Sequence, residues 1–553
     1  MKTMWAIEHT SWVKGALAIA LISLIAGSGH HPHSATSSYL VQASSYDRAR
    51  LVVLRAGGHV THELPVIEAV AADLTAVQLT QLQRTDGLKI TPDRVTRVSA
   101  PGPVKAQVQP YVVERTGANK LHAQGITGRG VTIAFLDTGW WSQHATQTNI
   151  AGKNVVLQGY DAIANKSGVG APSDQYGHGT HVLSIAVNSE PAEDGSFIGM
   201  APDASRVVVR AFDKNGSGTY ADTIRGINWI LQNAKTYNIR VVNMSFGAPP
   251  QGYYWDDPLA QAVMKLWQAG IVVVAASGNE GPTAQTIDVP GNVPYVITVG
   301  ASSDAYTPDI ASDDFLASFS SSGPTYEGFV KPDLIAPGGH VIAVMQSTST
   351  IAKAHPSFLG TNGYLGSSYF YMSGTSMSAA VVSGAAALIL QANPTLSADD
   401  VKCRLMSSAR PFVNPSGALA YTVFQQGAGE LNVYDAVYSL ATGCANTGLD
   451  IAADLAGTAH FGGPANQAAD GTFYIMNMQV PFSGEPEAAD GYTWTGGTWS
   501  KGYMWSKGYM WSKGYMWSKG YMWSKGYMWS KSVNFGPVSS ASPASIASWV
   551  DQQ

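Results

Sequence analysis

Between residues 131 and 277 the hydrophobic pattern of the chain keeps changing its period. VTIAFLD (131–137), SRVVVRAF (205–212), RVVNMSF (240–246) and IVVVAAS (271–277) are short β-branched runs that read as strands buried on both faces. YADTIRGINWILQNAK (220–235) and DPLAQAVMKLWQAG (257–270) lie between them and read as helices. The alternation predicts an α/β fold, a parallel sheet with helices on both faces. Ligands of such sheets collect beyond the carboxyl ends of the strands, so residues that carry chemistry are sought just after each run.

Four stand there. LDTG places Asp137 at the end of the first strand, where a tight turn can hold a carboxylate partly buried and hydrogen-bonded. YGHGTHVLSIAV places His178 at the start of an apolar helix, between two glycines. SGTSMSAAVVSGAAALIL (373–390) holds serines 373, 376, 378 and 383. Of these, Ser376 falls at a helix start, where free N–H groups can face a developing oxyanion. AASGNEGP adds the amide of Asn279 just past another strand. An orienting acid, a base, a nucleophile and an oxyanion donor are the parts of a Ser-His-Asp acyl-transfer site. Taken singly, each residue has a plainer reading. Asp-Thr-Gly also occurs in aspartic proteases, which need two copies, and a second is missing here. His178 and His181 could be a metal pair, but no third ligand motif follows. Ser376 alone would be a helix cap.

IAFLDTG, YGHGTHV, NMSFG, ASGNEGP, KPDLIAPG and GTSMSAAVVSG together, in this order, resemble the motifs of the subtilisin-like serine proteases, the subtilases. The resemblance covers about residues 112–440 and implies a parallel, seven-stranded subtilisin-type sheet. It makes Asp137 the orienting acid, His178 the general base, Ser376 the nucleophile and Asn279 the oxyanion donor. It also implies that Ser245, Phe246 and Gly247 of NMSFG form an edge that pairs with an extended polypeptide substrate. In TIDVPGNVPYVITVG (286–300), Asp288 would sit near the floor of the primary specificity pocket and favour Lys or Arg on the acyl side of the cut. The chemistry requires no cofactor. Structural calcium is compatible with the family, yet GWWSQHATQTNIAG (139–152) has no carboxylate where many subtilases place a ligand, so no calcium ligand is assigned.

A chain of 553 residues exceeds one hydrophobic core, so further units are expected around the body. Residues 1–29, with Lys2 and Lys14 before an apolar run from Ala16 to Ala26 and then small residues, have the layout of a secretory signal. Residues 38–100 read as strand, helix, hairpin, helix and a last strand, LKITPDRVTRV. That order resembles the ferredoxin-like α+β propeptides of subtilases, which implies an inhibitory propeptide, with the cut expected in SAPGPVKAQVQP (99–110). Cys403 and Cys444, the two cysteines, are a candidate disulfide in an oxidising compartment.

Residues 445–553 do not resemble the enzyme and are expected to form a tail. KGYMWS repeats five times from Lys501 to Ser530 within a basic stretch, 491–532, that holds six Lys and no Asp or Glu. A six-residue period keeps Lys, Tyr and Trp on one side of an extended strand. Such a face could contact glycans or surfaces by stacking and cation–π interaction, or the repeats could be low-complexity sequence. The net charge of −5 leaves no polyanion footprint, so nucleic acid is not an expected partner. The rival to a secreted endopeptidase is a surface-binding protein that uses the repeats on an inactive scaffold.

Overall fold

The structure, a computed structural model, describes residues 36–98, 111–168, 172–192, 195–305, 307, 311–360, 368–414, 418–467, 471, 473–475 and 509–511. The signal expected at 1–29, the linker 99–110 and the repeats other than residues 509–511 lie outside the described residues.

The N-terminal unit comprises β1 (Thr36–Gln42), α1 (Tyr46–Arg55), β2 (His59–Leu64), β3 (Ala69–Thr75), α2 (Ala76–Gln83), β4 (Lys89–Pro92) and β5 (Val95–Val98). Its four-stranded sheet runs β2-β3-β1-β4, with antiparallel neighbours. Period-two alternation divides the apolar residues between its faces. Val41, Val70, Ala72 and Leu74 form the unit's own core with Val53 and Leu82. Leu40, Ala69 and Ala71 instead join the core of the main body.

The single strand expected over 88–98 is broken in two. At the break, Asp93 Oδ1 accepts the Ala221 N–H at 2.9 Å, and Arg94 Nη1 reaches Asp257 Oδ2 at 3.2 Å. These contacts turn the chain off its sheet. β5 then runs between β9 (Ser217–Thr219) and β11 (Phe246–Gly247), antiparallel to both.

The body holds seven parallel strands, which are β6 (Thr132–Asp137), β7 (Val156–Asp161), β8 (Ser205–Arg210), β10 (Ile239–Met244), β12 (Val272–Ala276), β13 (Ile297–Ser303) and β14 (Leu334–Pro337). Their spatial order is β7-β8-β6-β10-β12-β13-β14, with a short antiparallel strand on β7 and another on β13. The order reverses around β6, so β6, which ends in Asp137, lies at the interior of the sheet.

The helices that cover this sheet begin with local signals. α3 (His178–Val187) starts after Gly177, and α4 (Tyr220–Asn233) is capped by Thr219. α5 (Pro258–Gln268) is capped by Asp257, which accepts from Leu259 and Ala260 N–H, with proline at the first helical position. α6 (Thr375–Ala392) is long and apolar enough to cross a membrane, but it lies buried in the core against α3 and the sheet. Small residues permit that depth, since a Cβ on Gly384 would fall 2.4 Å from Met200 Cβ.

Cys403 of α7 (Ala398–Ser408) and Cys444 are disulfide-bonded, with Cα atoms 5.3 Å apart. The tail expected from residue 445 begins later. Residues 449–467 and 473–475 fold back on the body through α8 (Ile451–Leu455), β15 (His460–Gly462) and a pairing of Ala465–Gln467 with Phe473–Ile475. Phe461 joins the main core, and buried Asp454 accepts the hydroxyls of Tyr254 at 2.6 Å and Tyr295 at 3.0 Å. β16 (Tyr509–Trp511), from the second KGYMWS copy, pairs antiparallel with β15. This fits the extended conformation that the repeat period implies.

Candidate active site

Asp137 and His178 meet in the core, both almost fully buried, with His178 Nδ1 2.8 Å from Asp137 Oδ1. The carboxylate fixes the tautomer. Nδ1 carries the proton and donates it, so Nε2 presents its lone pair. Asp137 Oδ1 also accepts the Thr138 N–H at 2.7 Å. The α3 start that carries the ring is held by a group not singled out in the sequence. Asp174 Oδ1 accepts from Gly177 N–H and Thr138 Oγ1, and its Oδ2 accepts the N–H and hydroxyl of Thr180, all at 2.7–2.9 Å. Thr138 in turn accepts the Gly179 N–H at 2.8 Å. Asp174 and Thr138 thereby lock the strand end that carries Asp137 to the helix start that carries His178. The available signal was a carboxylate four residues ahead of His178, within reach of first-turn N–H groups.

Ser376 lies in the first turn of α6, buried. Its hydroxyl donates to the Ser245 carbonyl at 3.0 Å, and Ser245 Oγ donates back to the Ser376 carbonyl at 2.8 Å. The hydroxyl is thus turned away from the imidazole. Among the described residues His178 Nε2 has no hydrogen-bond partner. The other three serines of the stretch are committed elsewhere. Ser373 Oγ accepts the His340 N–H, Ser378 donates to the Ala336 carbonyl, and Ser383 donates to Asn243 Oδ1.

Asn279 Oδ1 accepts from Thr375 N–H at 3.0 Å and Thr375 Oγ1 at 2.8 Å. Its Nδ2 is buried with no partner among the described residues, and a Cβ built on Gly374 would fall 3.3 Å from it. Thr375, also not anticipated, therefore aims an unspent amide donor at the α6 entrance beside Ser376. His181 does not pair with His178 as a metal ligand. Its Nε2 bonds the Phe370 carbonyl at 2.9 Å, and burial pushes its pKa down to about 3. Among the described residues no group of three or more His, Cys, Asp or Glu is placed to hold a metal ion.

Phe246 and Gly247 form the two-residue strand β11, which pairs with Val98 and Arg97 of β5. Ser245, one residue earlier, carries the carbonyl that receives the Ser376 hydroxyl. Asp288 stands beside Gly247, its backbone held by an N–H bond to the Ser277 carbonyl at 3.0 Å.

Residues 128–430 match the Subtilase family. The chain belongs to it. Subtilases similar to this chain include serine protease AprX of Bacillus subtilis, 41% identical over 51% of this chain and 61% of AprX. Subtilisin DY of Bacillus licheniformis is 34% identical over 55% of this chain and 92% of its own length. Subtilisin E of Bacillus subtilis is 31% identical over 76% of this chain and 97% of its own length. Among solved structures, fervidolysin of Fervidobacterium pennivorans, described as a keratinolytic enzyme related to subtilisin, shares the fold. The TM-score is 0.59 at 22% identity, over 75% of this chain and 63% of that one. The chain thus spans under two thirds of AprX and of fervidolysin.

Proposed function

We propose that this subtilase is an exported serine endopeptidase that cleaves unfolded polypeptides through an acyl-enzyme. The observation that carries the reading is the pairing of His178 Nδ1 with Asp137, which leaves Nε2 as an unengaged base in a buried site. When a substrate carbonyl arrives, Ser376 Oγ exchanges its bond to the Ser245 carbonyl for one to His178 Nε2. It then attacks as the imidazole takes its proton. Asp137 keeps the ring oriented and stabilises the imidazolium. Asn279 Nδ2 and the Ser376 N–H, one of the free donors of the first turn of α6, receive the oxyanion. His178 next protonates the leaving amine, and water hydrolyses the ester.

The N-terminal unit, on this reading, is a propeptide and β5 its substrate-like end. β5 pairs with β11 as an added strand and ends at Val98 opposite Phe246, next in line to Ser245. The first cut then falls in the linker 99–110, after export directed by residues 1–29. The test is hydrolysis of an unfolded protein by the purified chain, with and without a serine-directed covalent inhibitor. Activity that survives full labelling of Ser376 refutes the proposal.

A further inference from the structure

Two glycines keep open a slot in which a carboxylate stands. A Cβ built on Gly247 would fall 2.6 Å from Asp288 Oδ2, and one on Gly278 would fall 2.9 Å from the same atom. Gly247 is the β11 residue opposite Arg97 of β5. Gly278 adjoins Asn279 and donates its N–H to Thr375 Oγ1 at 3.3 Å. The slot therefore lies between the two backbone segments that flank Ser376. Val289 exchanges both backbone hydrogen bonds with Ala248, which fixes the direction of the Asp288 side chain. Asp288 is partly buried, and among the described residues no hydrogen bond or ion pair reaches its carboxylate.

We propose that Asp288 makes this slot a site for a lysine or arginine side chain on the acyl side of the cleaved bond, and that the chain's lysine-spaced tail is a substrate matched to it. The proposal rests on the endopeptidase reading above. A basic side chain would give the carboxylate an opposite charge and N–H donors in place of water, and such bonds are shorter and stronger than neutral ones. An apolar side chain would strip water from the carboxylate and return nothing, the asymmetry that makes polar pockets discriminating. Burial, and after it the charge of Glu280, pushes the Asp288 pKa up to about 7. The carboxylate is thus increasingly ionised above that pH while a lysine side chain stays charged, so the preference for Lys grows as pH rises through 7.

Six lysines stand at six-residue spacing from Lys501 to Lys531, in a stretch, 491–532, free of Asp, Glu and Pro. Each repeat offers Lys beside Tyr, Met and Trp, so the position of the cut reports which side chain the slot accepts. In the step itself the C–N bond after Lys breaks as Ser376 Oγ bonds the acyl carbon. The proton passes through His178 to the glycine or serine amine that leaves, and water then splits the ester.

The experiment uses the purified enzyme and matched peptides that differ only in the residue before the cut, namely Lys, Arg, Leu or Phe. The ratio of kcat/KM for Lys over Leu falls about ten- to a hundredfold in Asp288→Asn, and Asp288→Glu retains a basic preference. A ratio is insensitive to the fraction of enzyme folded, so a poorly folding variant still answers. A synthetic peptide of residues 501–531 is cut into GYMWSK units, read by mass spectrometry. An unchanged Lys-to-Leu ratio in Asp288→Asn overturns the slot assignment, and cuts after Tyr, Met or Trp with the Lys bonds intact overturn the tail as its substrate. Failure of the wild type to cleave any peptide, or unfolded protein, would instead refute the endopeptidase reading beneath both.

Discussion

Two segments flank the catalytic body, and they are attached to it by different means. The N-terminal unit lays Leu40, Ala69 and Ala71 against the body, pairs β5 with β9 and β11, and surrounds that contact with hydrogen bonds and ion pairs of separate side chains. Gln42 meets Gln261 at 2.8 Å, His62 meets Asp222 at 3.2 Å, and Lys89 meets Asp256 at 3.1 Å. Water can replace each of these. Residues 449–467, at the other end, begin just beyond a disulfide and bury Asp454 under two tyrosine hydroxyls and His460 Nδ1. Removing that segment would strand buried polar groups that water reaches poorly. The contrast suits a unit that leaves and a wrap that stays.

The sharpest way to break this comparison is Ser376→Ala. Turnover on peptides should fall by at least about 10⁴-fold, and the N-terminal unit, on the proposed reading a self-cleaved propeptide, should remain covalently attached. Intact mass of the exported protein checks both, and a normally trimmed Ser376→Ala chain would dismiss the triad roles. Next in size is the disulfide. Closing a loop across 41 residues is worth about 4 kcal/mol in the chain-entropy account, so Cys403→Ser with Cys444→Ser should lower unfolding stability by up to about that amount. Urea unfolding measures it, and an unchanged midpoint would remove the covalent half of the contrast.

The parts of this architecture that the sequence made legible are those where one stretch carries the whole signal. The β-branched runs became β6, β8, β10 and β12 to within about two residues, because strands buried on both faces leave continuous apolar writing. Asp137, His178 and Ser376 were visible for a related reason, since each occupies the end of a strand or the start of a helix. Thr138 and Thr375 were not, because their role lies in bonds to partners 36 and 97 positions away, whereas Asp174 carried a local signal, a carboxylate just ahead of a helix start. The break at Asp93 and Arg94 was hidden likewise. LKITPDRVTRV alternates well enough for one strand, and only the Ala221 N–H and Asp257 on the body turn it into two. The segment after residue 449 looked like tail because its apolar residues, Phe461 and Ile475 among them, follow neither a helical nor a strand period and bury only against the distant body.

A smaller effect separates the two attachments at Arg94. Its guanidinium bonds Asp257 at 3.2 Å and the Pro249 carbonyl at 2.6 Å, and it lies over the Tyr220 ring at 4.8 Å. Asp257 is buried, and burial is the main cause that raises its pKa, with Arg94 the first influence against it. Arg94→Ala leaves that carboxylate without its cation. The pair is partly exposed on the arginine side, so the cost is about 2–3 kcal/mol, below that of a fully buried pair. The cleaved unit should dissociate roughly 30- to 100-fold faster, seen as a shorter lag before activity. An unaltered lag would mean that the apolar face alone sets the rate.

The smallest expected effect concerns Asp93, and its sign is decided by pH. Asp93 accepts the Ala221 N–H and the Ser38 hydroxyl, yet burial outweighs these bonds and holds its pKa above the ordinary carboxylate value. A carboxyl group whose pKa is raised in the docked state binds a proton more readily docked than free. Its contribution to docking is therefore fully present below about pH 4, the ordinary value, and is lost as pH rises through the raised one. Asp93 alone makes the N-terminal unit cling in mild acid and loosen toward neutrality. Asp93→Asn keeps an acceptor for Ala221 and removes the titration, so the dissociation rate should slow a few-fold at pH 7 and lose part of its pH slope between 4 and 7. If the slope survives intact in Asp93→Asn, Asp93 does not set the pH dependence of docking.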